Sequence, residues 1–142
     1  MKVRQDTLGF LLADVSRLMR RAFQQRLEGS SLTLAQARAR VYVSRNEGVR
    51  QIDLAEMLEV QPITLARLLD QLAKAGLVER RAAPADRRAY QIFLLPAATR
   101  QLTAIERVAK AVRAGALRGV SEQQAAGVIS ALRKMRNNLA SR

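Results

Sequence analysis

The chain has 142 residues, 49% hydrophobic and 4% aromatic, with no Cys, His or Trp and a net charge of 25 − 12 = +13. That length and apolar share bound it to one domain, or a small domain plus an oligomerisation element, around an aliphatic core. Lacking Cys and His, it has no thiol nucleophile, disulfide, imidazole acid–base group or ordinary zinc site.

The positive charge favours a polyanionic partner by long-range attraction. Only four of the 25 basic residues are Lys, and GC-rich coding alone yields such Arg- and Ala-rich chains. Charge therefore supports nucleic acid without selecting it over an anionic membrane surface. Lys2 and Arg4 precede an apolar run, Leu8–Ala13, closed by Asp14. This run is too short for a signal peptide or a membrane span, so a cytoplasmic location without membrane partner is expected.

Thr7–Leu27 places Leu8, Leu11, Leu12, Val15, Leu18, Met19, Ala22 and Phe23 at helical spacing, with Arg17, Arg20 and Arg21 between them, which predicts a long amphipathic helix. Glu28-Gly29-Ser30-Ser31 breaks it. Thr33 and Gln36 stand at capping-box spacing, so a second helix runs to about Ser44. Its apolar content is thin, because Arg38 and Arg40 interrupt Ala37, Val41 and Val43.

Asn46-Glu47-Gly48 reads as a turn, and Ile52–Leu58 as a short helix with Leu54, Ala55 and Leu58 on one side. After Glu59-Val60-Gln61 comes the best-bounded stretch of the chain, Gln61–Gly76. Pro62 suits the first helical position and Gly76 a left-handed close. Leu65, Leu68, Leu69 and Leu72 form one apolar face, while Ile63, Arg67 and Lys74 point away from it and Thr64 and Gln71 flank it. Two short helices joined this way make a helix-turn-helix; an ordinary helical hairpin fits these residues equally well.

The segment after Gly76 favours the helix-turn-helix. Leu77–Arg81 is a strand candidate, Ala82–Ala89 with Pro84 and Asp86-Arg87-Arg88 reads as a turn or loop, and Tyr90, Ile92 and Leu94 alternate as a second strand. A helix-turn-helix followed by a glycine and a β-hairpin with a basic tip has the element order of a winged helix-turn-helix. Pro96 opens a helix to about Arg118, with Leu102, Ile105, Val108, Ala109 and Val112 on one face. Gly119 ends it. Ser121 and Gln124 repeat the capping-box spacing ahead of a last helix striped by Val128, Ile129, Leu132, Met135 and Leu139. The first and the last two helices carry more apolar face than a small winged lobe covers. They fold back as core or bury against a second copy; the homodimer is the reading adopted.

The expected fold is mainly α with a small β-hairpin wing, in the order α1-α2-α3-α4-β-β-α5-α6. Residues 1–142 form one unit, 33–95 the winged lobe, and 7–28 with 96–140 a helical dimerisation region. The 12 acids are scattered, and neither a nucleophile motif nor a Gly-rich phosphate loop is present, so neither an enzyme nor a cofactor is expected.

Three segments resemble the MarR family of bacterial transcription regulators, near its SlyA-like branch: Leu65–Leu72, Gly76–Arg81 and Asp86–Ala89. Leu32-Thr33 with Gln36, and Glu47-Gly48 with Gln51, match the family's segment ahead of the helix-turn-helix. The resemblance implies a triangular homodimer on a pseudo-palindromic operator, repressing transcription and released by a small aromatic or phenolic anion in the crevice between helices and winged lobe. Arg17 or Arg38 could hold a carboxylate there; both are also ordinary solvated arginines.

Matched to the family's motif, Arg67 is the recognition-helix arginine, Arg88 the wing arginine of the minor groove, and Asp86 the acid that braces the wing by ion pairing. Gln61, Thr64, Gln71 and Arg87 complete the expected DNA contacts. Ile63 either meets a thymine methyl or packs on the wing or a neighbouring helix. Asp70 braces by pairing with Arg67 or with a wing-base arginine such as Arg80. Ala37 stands where the family often has an aromatic, and Leu95 where a capping Thr usually precedes the next helix. A non-specific DNA-packaging protein is the alternative function, and a membrane-surface protein built on Thr7–Leu27 a more distant one.

Overall fold

The computed structural model describes residues 6–141, and of Arg87 the backbone only; Lys2 and Arg4 lie outside the described residues. Its elements are α1 (Leu8–Leu27), α2 (Leu34–Arg45), β1 (Val49–Arg50), α3 (Gln51–Leu58), α4 (Pro62–Lys74), β2 (Val78–Ala83), β3 (Asp86–Leu94), α5 (Pro96–Ala116) and α6 (Glu122–Ala140).

Local chemistry explains most of the boundaries. Thr33 and Ser121 each close a reciprocal capping box, with Gln36 and Gln124 respectively, satisfying two orphan helix donors apiece. Pro62 and Pro96 open α4 and α5. Leu95 caps α5 without a side-chain hydrogen bond, a loss of about 1 kcal/mol relative to a capping Thr.

The sheet has three strands in the order β1-β3-β2, all antiparallel. The sequence pattern suggested only two. The missing one, β1, is two residues long and shows no periodicity. It forms because Gly48, at φ +83°, turns the chain so that its N–H donates to the Ile92 carbonyl at 3.0 Å. The Phe93 ring lies 3.3 Å from where a Cβ at Gly48 would sit, so both backbone angle and space demand glycine.

Most of Ala82–Ala89, expected as turn or loop, is paired strand. Ala82 faces Tyr90 and Ala83 faces Asp86 across a bulge, which confines the turn to Pro84-Ala85. Alternation marks a strand only where one face is covered, and both faces of this tip reach solvent.

Two apolar clusters meet at α2. Ala39 and Val43 pack with Leu54 and Leu58 of α3, Leu65, Leu69 and Leu72 of α4, Val78 and Ile92 of the sheet, and Ala98. Ala37 packs with Leu27 of α1 and Ile105 of α5. One short helix thus joins the winged lobe to the long helices. Its weak periodicity reflects Arg40, which is buried (3% exposed) with Nε and Nη1 unpartnered among the described residues. Burial pushes its pKa below the usual arginine value by desolvation.

The long helices are unevenly used. Along α1 only Leu27 is fully buried, and on α6 no residue is, Ala125, Leu132 and Met135 being half-buried. Leu8, Phe10, Leu11, Leu12, Val15 and Leu18 on α1, with Val128, Ile129 and Leu139 on α6, remain exposed. No helix among the described residues is long and apolar enough to cross a membrane.

Candidate nucleic-acid interface

The α3–α4 connection is fixed by backbone geometry. Glu59 takes the left-handed conformation at φ 54°, and the Val60 N–H returns to the Ala55 carbonyl at 3.1 Å. Gln61 then sits at the N-cap of α4 with no side-chain cap bond, leaving its amide free. Leu65, Leu69 and Leu72 anchor α4 in the core, while Leu68 is only half-buried against it. Thr64, Arg67 and Gln71 are exposed. Ile63 is 62% exposed, so it is not packed on the wing or a neighbouring helix.

Arg80, at the base of the wing, ties three segments together. Its Nη1 lies 2.6 Å from Asp70 Oδ1, its Nη2 donates to the Ala66 carbonyl at 2.9 Å, and its Nε donates to Gln51 Oε1 at 3.2 Å. Of the two partners open to Asp70, Arg80 is therefore the one taken. Arg67 makes no ion pair among the described residues. Gln51 starts α3, Ala66 and Asp70 lie on α4, and Arg80 belongs to β2, so one guanidinium sets the angle between both helices and the wing.

Asp70 is more than half exposed, which discounts its ion pair. The bonds to Gln51 and Ala66 are better shielded. Arg80→Ala should cost about 1–3 kcal/mol of stability, and Arg80→Lys should recover little of it, because an ammonium lacks the fork that reaches three acceptors. Chemical denaturation of the three proteins checks this; equal midpoints for all would remove the fastening role.

On the wing, Asp86 Oδ1 accepts the Arg88 backbone N–H at 2.9 Å, a local turn that shapes the strand entry. The Arg88 side chain is exposed; that of Arg87 lies outside the described residues. Arg81 stacks its guanidinium 4.0 Å from the Phe93 ring centre and pairs with Glu79 at 3.1 Å, stiffening the wing base. A cleft of about 290 Å³ opens where the starts of α3 and α4 meet the wing, lined by Pro62, Asp86 and Arg88 together with Arg50, Ile52 and Tyr90.

None of the last three was named as a site residue from the sequence. Ile52 and Tyr90 are 59% and 47% exposed. Tyr90 shares the strand alternation of the fully buried Ile92 but lies beyond the edge of the core. Ile52 carried a usable signal, since like Ile63 it is an apolar residue on the polar side of a short amphipathic helix.

An anchored helix with a polar outer face, a preceding short helix and a basic hairpin fastened to both define a winged helix-turn-helix. The MarR family model matches residues 32–90, from just before α2 to the middle of β3, so the segment that carries the winged helix-turn-helix is similar to that family. The solved structure of MarR itself is 25% identical, covering 96% of this chain and 92% of that one with a TM-score of 0.82. A MarR-family regulator from Silicibacter pomeroyi is 22% identical over 94% and 90%, with a TM-score of 0.81. BpsR of Bordetella bronchiseptica, whose DNA binding is regulated by 6-hydroxynicotinic acid, is 21% identical over 93% and 94%, with a TM-score of 0.73. The last two likenesses are of fold.

Proposed function

We propose that the protein is a sequence-specific, DNA-binding transcriptional repressor that works as a homodimer on a pseudo-palindromic operator. The observation that carries this reading is the Arg80 fastening, which holds α4 and the wing at a fixed angle while Arg67 and Arg88 stay exposed for ligand. α4 enters the major groove, where Arg67 bonds bidentately to guanine O6 and N7. Ile63 covers a thymine methyl, and Gln71 flanks the base edges. Gln61 and Thr64, with the free N–H groups of the helix start, hold phosphate. Arg88 and Arg87 reach the adjacent minor groove, whose width makes their contribution depend on sequence. Asp86 shapes the wing and Asp70 holds Arg80.

The second copy is argued from apolar surface left open. α6 fully buries no residue in its own chain and leaves Val128, Ile129 and Leu139 exposed, and a cleft of about 400 Å³ between α1 and α5, lined by Val15, Leu18, Ala22, Ala111, Val112 and Gly115, has room for apolar side chains from a partner. Docking α6 of each copy on the other buries both stripes and sets two recognition helices roughly one helical turn apart. Occupancy of such a site near a promoter excludes polymerase, which gives repression.

Release by a small aromatic anion has a candidate seat. A largely apolar cleft of about 210 Å³ between α1, α2 and α5 is lined by Phe23, Ala37, Tyr42 and Val112, with Arg20 and Arg38 at its polar edge. Ala37, in place of an aromatic, leaves that space open. Arg17 instead pairs with Asp14 at 3.2 Å. A ligand there favours one spacing of the two lobes over another and so shifts DNA affinity.

Electrophoretic titration tests the assignment. Arg67→Ala should weaken operator binding by about 1–3 kcal/mol and relax specificity, and Arg88→Ala should weaken it without unfolding the protein. Wild-type affinity in both variants would refute the reading. A non-specific packaging protein would instead bind every duplex alike at a given salt concentration.

A further inference from the structure

Most of the net positive charge lies outside the winged lobe. Residues 33–95 hold ten Lys/Arg and seven Asp/Glu, net 10 − 7 = +3, whereas residues 7–28 and 96–140 hold twelve and four, net 12 − 4 = +8. The lobe also neutralises part of its own charge, through the Arg80–Asp70 and Arg81–Glu79 pairs.

On α5 the excess is organised. Arg100, Arg107, Lys110 and Arg113 are all exposed and fall within a sector of about 140° at 100° per residue. That sector lies opposite the inward-facing Ile105 and Val112, which are 0% and 7% exposed. None of the four makes an ion pair among the described residues, and Glu106 is the one acid on that side of the helix. The stripe is about 20 Å long, a length over which duplex DNA presents roughly a dozen phosphate charges.

We propose that this face of α5 is a second, sequence-independent binding surface for double-stranded DNA. A dimer holding its operator in the winged lobes then engages another stretch of duplex on its helical body. Burial pattern favours DNA over a membrane. A helix lying on lipid needs its apolar side free, and the apolar side of α5 is packed against α1 and α2. The exposed apolar stripes belong to α1 and α6, and the α5 residues lining the cleft offered to the second copy, Ala111, Val112 and Gly115, lie on a different sector of the helix from the four basic residues. The proposal rests on the operator-binding function only in naming the lobes as the primary site.

The test starts from full-length protein with the lobes disabled by Arg67→Ala and Arg88→Ala, titrated with a labelled 20-bp duplex of scrambled sequence at about 50 and 200 mM salt. With four phosphate contacts the slope of log K against log salt should be about −3.6. Adding Arg100→Gln, Arg107→Gln, Lys110→Gln and Arg113→Gln should lower affinity at the lower salt at least tenfold and flatten the slope by that amount. Lysine at positions 100, 107 and 113 should restore it, which separates charge from any damage to the fold. A stripe variant that keeps slope and affinity, or a lobe-disabled protein that binds anionic phospholipid vesicles but no duplex, would overturn the proposal. Failure of the primary function shows elsewhere, as a wild-type protein that selects no sequence while the stripe-dependent slope persists.

Discussion

A protein carrying glutamate at both Val128 and Ile129 should sediment as a monomer and lose operator affinity by about 10²–10⁴-fold. The two side chains are 53% and 49% exposed in the single chain, and α6 contributes nothing to either apolar cluster. Charging them therefore leaves the folded lobe intact, and its melting transition should persist. What is lost is the tethering of two half-site contacts, whose second binding event otherwise occurs at high effective concentration. Sedimentation together with titration checks this. A monomeric variant with unchanged operator affinity would show that one lobe suffices and that the paired geometry is wrong.

Arg40→Met should stabilise the protein by about 1–4 kcal/mol, the range seen when a buried ion pair is replaced by apolar side chains of similar volume, because here too a desolvated charge gives way to apolar contact. Arg40 is 3% exposed, two of its three guanidinium nitrogens have no partner among the described residues, and desolvation lowers its pKa. The folded state thus binds this proton less tightly than the unfolded state does. The resulting penalty persists at every pH below the lowered pKa and is relieved only as pH rises through it. An arginine stays protonated throughout the neutral range, so the gain from Arg40→Met should be independent of pH there. Urea unfolding of the two proteins at two neutral pH values measures it. A midpoint that falls would show that Arg40 holds the α2 junction through contacts worth more than its desolvation.

The parts of the fold legible in the sequence are those whose cause is local. Pro62 and Gly76 bound α4, two capping boxes start α2 and α6, and leucines at helical spacing show which side of α4 is held. The parts that were not legible depend on distant partners. β1 exists because Gly48 meets Ile92 and Phe93, more than forty residues away. The wing strands extend through polar residues that no alternation marks. Arg40 looked like an interruption of a helix face, and its burial is settled by the elements packed around α2.

Much the same divides the candidate site. Arg67 and Ile63 could be placed on the outer face of α4 from spacing alone. The choice of Arg80 as the partner of Asp70 needed the strand to return beside the helix. Arg50, Ile52 and Tyr90 join the cleft only because the start of α3 lies against the wing. The net charge of +13 read as a single attraction toward polyanion, while its placement, mostly on the long helices, emerged only once each arginine had an element to stand on.

Selection of bound sequences from a random duplex pool, with wild-type protein and Arg67→Ala side by side, tests the central claim most directly. The wild type should recover a pseudo-palindrome whose half-sites lie roughly one helical turn apart, with a guanine in each half-site that the Arg67→Ala protein no longer selects. A recovered pool indistinguishable from the input, or a palindrome unchanged by Arg67→Ala, would contradict it.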